Sequence, residues 1–429
     1  MIRRLVVLML LVGGAVLLEP LRAPTEGVIA PRSLFLFGIL LLTADTFGAL
    51  AHDLKIPRLV GYLLAGLALG PSVAGIVPAG VLEDLSMMKR LAVGLIGLLA
   101  GAELRVTDLR DRRRIIGSIL GFQTVAVIAL LLGTTLLLQS WIPFLAGLDR
   151  RAVFFIALLF AVLLTVNSPM VTLALLTETR ASGPLARTTL GVVLVADVLI
   201  ILLFTGAFSF AQASLGGAAE ATKVMVSLLR GVFGSILAGA LVGGVLSLYL
   251  RFVKRELILF AVVVVFATAA AAQELEFELL LSLLVAGFLV ENVAPVRAEP
   301  LVEALHQMAV PVFVIFFALA GAELHIQGFL ALWPIVLAVA LIRMGGIYLA
   351  ATHGSRLARA EPLVTRYGWT GLVSQAGVAL GLAAIVADRL PVVGTAMQAL
   401  VIGVVAFNES LGPILFRWGL VRAGEVKLP

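Results

Sequence analysis

The phrase LAGAEL stands at residues 99–104 and returns at 319–324. A second pair keeps nearly the same offset: LLAGLALGP at 63–71 and LLVAGFLVEN at 283–292 align Ala65-Gly66 with Ala286-Gly287. Two phrases repeated 220 and 221 positions apart point to a duplicated unit rather than to chance in a chain rich in Ala, Leu and Gly. The copies lie seven apolar segments apart. An odd number of crossings turns the second copy over, so the sequence predicts an inverted repeat about an axis in the membrane plane. Glu103 and Glu323 close the two phrases and are expected at helix ends on opposite faces, hydrated at headgroup level, with a gating role as the alternative.

Working outward, 61% hydrophobic residues, 13% charged residues and a mean hydropathy of +1.14 exclude an ordinary soluble domain. Apolar stretches follow one another at roughly 5–18, 33–52, 59–77, 91–104, 115–138, 152–177, 185–208, 224–250, 257–273, 279–295, 308–325, 329–353, 367–388 and 392–417. Crossing a bilayer takes about 20 residues. The fold class expected is an all-α polytopic membrane protein with 13 transmembrane helices. An N-terminal hydrophobic segment, within residues 1–32, is either a fourteenth helix or a signal peptide. The transmembrane domain spans 33–417, with repeats at about 57–210 and 279–417. Residues 418–429 form a short tail, and no appended nucleotide-sensing module is expected.

Of the 31 Lys and Arg, 21 fall on the side of the N-terminus and 8 on the other, with Arg230 and Arg343 inside segments. The excess of basic loops predicts cytoplasmic termini and makes RVTDLRDRRR (105–114) a membrane anchor rather than a nucleic-acid patch. The absence of cysteine excludes disulfides and thiolate sites, and His52, His306, His325 and His353 show no metal-ligand spacing. No phosphate-binding glycine loop or nucleophile elbow is present. Neither an enzyme nor a cofactor is expected.

Transporters of inverted-repeat design bind their ion near the midplane, at interrupted helices. LLTVNSPMVTLALL (163–176) supplies one interruption, because Pro169 falls midspan and removes a helical hydrogen bond. Thr165, Asn167 and Ser168 are suited to coordinate a small cation there. WTGLVSQAGVALGL (369–382) supplies the other, loosened by Gly371, Gly377 and Gly381, with Ser374 and Gln375 at the break. Asp197 is the only acid of GVVLVADVLIILLF (191–204), and an acid there costs roughly 2.5–3.5 kcal/mol to insert. Burial favours the neutral form of a carboxyl, so such a group holds a proton until a cation displaces it. Arg343 is the midspan base of VLAVALIRMGGIYLAA (336–351). It is expected to cap carbonyls at the breaks, neutralise a carboxylate or snorkel. Glu409, beside Asn408, and Asp45 are possible accessory acids.

These residues, together with IPRLVGYLLAGLALGP (56–71) and VSQAGVALGLA (373–383), resemble the transmembrane domain of the monovalent cation:proton antiporter superfamily, the sodium/proton exchanger family, CPA2-like in kind. The resemblance runs from about residue 33 to the end of the last segment. It implies two crossed, broken helices in a mobile core, a homodimer, a bacterial inner-membrane location and exchange of Na+ or K+, with Li+ a further candidate, for H+. By position, Asp197 matches the family's ion- and proton-binding aspartate, Asn167 and Ser168 its first crossing, and Arg343 its basic residue before the second break. Ala196 departs from the pattern, which places Asp, Asn or Gln before that aspartate. The departure implies electroneutral exchange and leaves Arg343 without its usual partner. A gated channel or a non-transporting sensor built on the same fold is the alternative.

Overall fold

A computed structural model describes residues 31–426 apart from 146, 216–217, 254, 276, 295–297, 325, 376 and 391–392. The N-terminal segment at 5–18 therefore lies outside the described residues. Helix is the regular structure throughout, with no strand among the described residues. Each apolar segment from residue 33 onward coincides with a helix or with a pair of helices.

The described residues form two units, one drawn from 31–103 and 236–327, the other from 104–235 and 328–426. In the first lie α1 (Pro31–Asp53), α2 (Arg58–Leu69), the short α3 (Ala79–Asp84) and α4 (Ser86–Glu103). The second begins with α5 (Val106–Leu137), α6 (Arg150–Leu163), α7 (Pro169–Thr179) and α8 (Pro184–Ser214). α9 (Ala218–Phe252) straddles the boundary, and α10 (Leu257–Leu275), α11 (Leu279–Asn292) and α12 (Glu299–Ala322) return to the first unit. α13 (Ile326–Leu357), α14 (Pro362–Tyr367), a 3-10 turn at Gly368–Leu372, α15 (Gly377–Arg389) and α16 (Gly394–Ala423) complete the second. Proline sets several starts: it occupies the first turn of α7, α8, α12 and α14, where its missing N–H has no helical partner to lose.

Among the described residues, eight helices are long and apolar enough to cross a membrane, namely those containing Pro31–Asp53, Leu109–Leu137, Pro184–Ser214, Leu229–Phe252, Leu257–Leu275, Glu299–Ala322, Leu332–Leu357 and Gly394–Ala423. α2 and α11 are shorter apolar helices.

The repeated phrases meet each other in the first unit. α2 packs on α12, and α4 packs on α11. A Cβ on Gly66 would overlap the Ala318 carbonyl and one on Gly321 the Leu63 carbonyl. In the second crossing, a Cβ on Gly287 would overlap the Leu98 carbonyl and one on Gly101 the Leu284 carbonyl. Each residue of the first crossing maps onto the second by the offsets of the repeated phrases: 66 to 287, 63 to 284, 98 to 318 and 101 to 321. Glycine is required because the helices approach backbone to backbone, the means by which apolar helices associate where hydrophobic burial gives little net drive.

The closing glutamates join α4 and α12 at both ends. Glu103 Oε1 meets His306 Nε2 at 2.8 Å, and Glu323 pairs with Lys89. Hydration alone therefore does not describe these acids, since each finds a base near the start of the other helix.

Gly321→Val forces a branched side chain into backbone and should cost at least the ~1–3 kcal/mol of an overpacked core, read as a lower melting temperature in detergent. Gly244, where an added Cβ would meet nothing within 4 Å, is the control: Gly244→Ala leaves the melting temperature unchanged or slightly raised.

Candidate functional site

α6 ends at Leu163, and residues 164–168 leave the helix before α7 begins at Pro169. Ser168 is the N-cap of α7, its Oγ accepting from the Val171 N–H at 3.2 Å, with Pro169 in the first turn. Ser168 and Pro169 therefore set the start of α7. The second interruption follows the 3-10 turn: Val373, Ser374 and Gln375 are non-helical, and α15 begins at Gly377.

One guanidinium joins the two interruptions. Arg343, on α13, has no solvent exposure. Its Nε donates to the Leu164 carbonyl at 2.6 Å and its Nη2 to the Val166 carbonyl at 2.8 Å, both at the first break. Its Nη1 donates to the Val373 carbonyl of the second break at 2.7 Å. Interrupting a helix leaves carbonyls without intrahelical donors and gathers the negative end of the helix dipole. A planar cation with donors on three nitrogens suits that need better than a lysine ammonium. Of the three roles expected for Arg343, capping the breaks is the one observed. Its partners are carbonyls and an amide rather than a carboxylate.

A chain of amides extends the junction. Gln375 Nε2 donates to the Leu164 carbonyl at 3.0 Å, and Asn408 Nδ2, on α16, donates to Gln375 Oε1 at 2.8 Å. Asn167 Oδ1 accepts from Gln123 Nε2, on α5, at 3.0 Å and from Arg343 Nη2 at 3.4 Å. These donors fix which way the Asn167 amide faces. Asn167, Gln375, Asn408 and Arg343 are thus brought together. Thr165 and Ser168 flank the same break, Thr165 Oγ1 donating to the Ala161 carbonyl at 2.9 Å. Ser374 is buried against Gly412 of α16, where a Cβ would overlap the Ser374 hydroxyl. Asp197 is buried along α8, and Glu409 is buried beside Asn408. Asp45 lies on the exposed face of α1, in the other unit.

Sequence reasoning missed Gln123. The signal was available: a buried amide midway along an apolar stretch. It also missed the bonds that hold α8 at its start. Arg112 Nη2 and Nη1 reach the Glu361 carboxylate at 2.8 and 3.3 Å, and Arg112 Nη1 also donates to Thr188 Oγ1, on the first turns of α8, at 2.9 Å. The Arg112 hydrogen bond holds the Glu361 carboxyl below the usual carboxylate range, against a smaller opposing effect of burial.

The sequence profile of the family described as "Sodium/hydrogen exchanger, transmembrane" matches residues 38–421. The chain belongs to the sodium/hydrogen exchanger family. The fold is similar to that of the sodium proton antiporter MjNhaP1 from Methanocaldococcus jannaschii at pH 8, with a TM-score of 0.67 at 16% identity over 92% of this chain and 98% of that one. An electron-microscopy structure of the same antiporter gives 0.66 at 16% identity, covering 92% and 99%. Among curated proteins, the iron transporter MagA of Paramagnetospirillum magneticum (strain ATCC 700264 / AMB-1) is 28% identical over 192 residues, 44% of this chain and 41% of that protein. The chain thus aligns with less than half the length of that relative.

In this exchanger-family chain the position before Asp197 is filled by buried Ala196, and the arginine is satisfied by main chain. Two outcomes follow. Arg343→Ala strands buried carbonyls at about 1–3 kcal/mol each and should abolish a cooperative melt, while Arg343→Lys, a single point of charge, recovers only part of the stability. Glu361 carries a depressed folded-state pKa, so its contribution is complete above the unfolded carboxyl value, about 4.3, and is lost as pH falls through the lower folded value. The melting-temperature difference between wild type and Glu361→Gln should be flat from pH 7 to about 5 and shrink below about 4, staying small because the carboxylate is partly exposed.

Proposed function

We propose that the chain is a secondary active antiporter that exchanges a monovalent cation, Na+ or K+ with Li+ as a further candidate, for H+ by alternating access. The observation that carries this reading is the buried Asp197 on α8, within the same unit as two interrupted helices whose carbonyl ends are bound by one arginine. A buried carboxyl is neutral with a proton or balanced by a cation, and holding both at once gains nothing. Competition for one carboxylate, offered to each side in turn, couples the two fluxes. The Thr165 and Ser168 hydroxyls supply further oxygen lone pairs beside the first break. Asn167 lends its oxygen to the ion once the Gln123 and Arg343 bonds exchange. Ser374 and Gln375 line the second break, and Arg343 repels the cation from the carbonyls it occupies.

Ala196 favours electroneutral exchange, one proton for one cation, because a single carboxylate changes partner without changing net charge. Family membership and the antiporter fold support the exchange chemistry. The partial relative is named an iron transporter, but a transition-metal cargo calls for clustered soft or carboxylate donors. Among the described residues no three His, Cys, Asp or Glu side chains gather. A carboxylate with hydroxyls and carbonyls suits a hard monovalent ion.

The repeated glycine crossings support an inverted repeat, with halves at about 57–210 and 279–417. We take the chain to make thirteen crossings from residue 33, to carry a cytoplasmic C-terminus in a bacterial inner membrane and to work as a homodimer. Glu409 and Asp45 remain accessory acids in this reading, the latter on the exposed face of α1.

Proteoliposomes with an acid interior test the proposal. Adding Na+, K+ or Li+ outside should dequench an entrapped pH dye with wild type and not with Asp197→Asn, and the ranking names the substrate. Folded wild type no faster than empty vesicles would overturn it in favour of a sensor, and dequenching that persists in Asp197→Asn would move the site elsewhere.

A further inference from the structure

The last described residues reach back to the start of the helix that bears Asp197. α16 closes on Gly424 in the left-handed region, φ 70°, where a missing Cβ removes the steric penalty. The Gly424 N–H donates to the Val421 carbonyl and the Glu425 N–H to the Leu420 carbonyl, each at 3.1 Å. This paired closure ends the helix and turns the chain sharply from its axis. Glu425 is thereby delivered, buried, to the first turn of α8.

There its carboxylate takes two helix-terminal amides. Oε1 accepts from the Leu185 N–H at 2.7 Å and Oε2 from the Ala186 N–H at 2.8 Å. The Glu425 main-chain carbonyl accepts from the Ser182 N–H at 3.1 Å. α8 has no cap of its own, because its N-cap residue is Gly183, and a Cβ at Gly183 would collide with the Glu425 side chain. The local sequence leaves its first amides to be satisfied by a carboxylate 240 positions away. Negative charge at this end also meets the positive pole of the helix dipole. Arg112 holds Thr188 on the next turn at 2.9 Å, so the start of α8 is fixed by two independent contacts.

The consequence is axial. Asp197 lies twelve residues beyond Leu185, about 18 Å along a helix rising 1.5 Å per residue. A helix is stiff over that length, and a shift at its first turn is carried to the carboxylate. α16, from which Glu425 comes, also carries Asn408, the partner of Gln375 at the second break. We propose that Glu425 is a positioning residue for exchange: by capping α8 from the end of α16, it sets the depth at which Asp197 stands. The inference rests on reading Asp197 as the exchange carboxylate, and its test separates the two.

Glu425→Gln keeps the size of the side chain but replaces one acceptor oxygen with an NH2 that faces an amide N–H. Glu425→Asp keeps the charge on a shorter arm. Full-length variants are compared with wild type in lipid nanodiscs by hydrogen–deuterium exchange and in proteoliposomes by cation-driven dequenching, both normalised to folded protein. For Glu425→Gln, the Leu185 and Ala186 amides should exchange about tenfold faster or more, the loss of a charged hydrogen bond. Its half-saturating cation concentration should rise about three- to tenfold, as for a lost contact of roughly 1 kcal/mol, and its pH profile should shift, with Glu425→Asp between it and wild type. Faster amide exchange with unchanged half-saturation and pH profile would overturn the positioning role and leave a merely structural cap. Unchanged amide exchange would overturn the cap itself. If wild type does not exchange ions, the antiport reading fails alone, and positioning is then judged from the amides of residues 194–200: altered rates in Glu425→Gln support it and unaltered rates overturn it. Should Glu425→Gln not fold, Glu425→Asp carries the same comparison.

Discussion

The bonds from Arg343 to the carbonyls of Leu164, Val166 and Val373 are the constraint on which the second unit depends. Two liabilities meet there and cancel. An interrupted helix buried away from water exposes carbonyls that cost several kcal/mol each if unsatisfied in an apolar medium. A buried guanidinium carries a desolvation cost of several kcal/mol of its own. Placed together, the cation satisfies the carbonyls and the carbonyl dipoles satisfy the cation. Carbonyls and one amide oxygen thus accept the hydrogen bonds of the guanidinium. The amide chain through Gln375 to Asn408 then ties α16 to the same point.

The first unit is built on a different principle. Its helices cross where glycine lets backbones touch, at Gly66 with Gly321 and at Gly101 with Gly287. The Glu103–His306 and Glu323–Lys89 pairs sit toward the helix ends. Backbone contact of this kind tolerates no added side chain. The second unit instead gathers buried amides and a guanidinium at its interruptions.

Much of this was legible in the sequence, and the remainder was hidden for a physical reason. Apolar segments and the Asn167-Ser168-Pro169 interruption are local features, set by hydropathy and by proline's missing N–H, and both appear where periodicity puts them. The LAGAEL repeat was legible as a repeated phrase, yet its glycines prove to matter as much as its glutamates. Ser168 reads as a ligand and serves first as the N-cap of α7. For Arg343 the sequence allowed capping, pairing or snorkelling, and only geometry chooses. Gln123, Lys89, His306, Arg112 and Glu425 were missed because their partners are distant in sequence, in most cases by more than 70 positions. No spacing rule reaches that far.

The central claim is that one carboxylate holds either a proton or a cation. Calorimetric titration of the purified protein with the transported cation, in buffers of different ionisation enthalpy, counts the protons released on binding. Competition at Asp197 predicts, at a pH where that site is protonated, release of about one proton per cation bound, falling to none in Asp197→Asn together with binding. Cation binding with no proton released at any pH would contradict it, because a site that binds without deprotonation cannot couple the two fluxes.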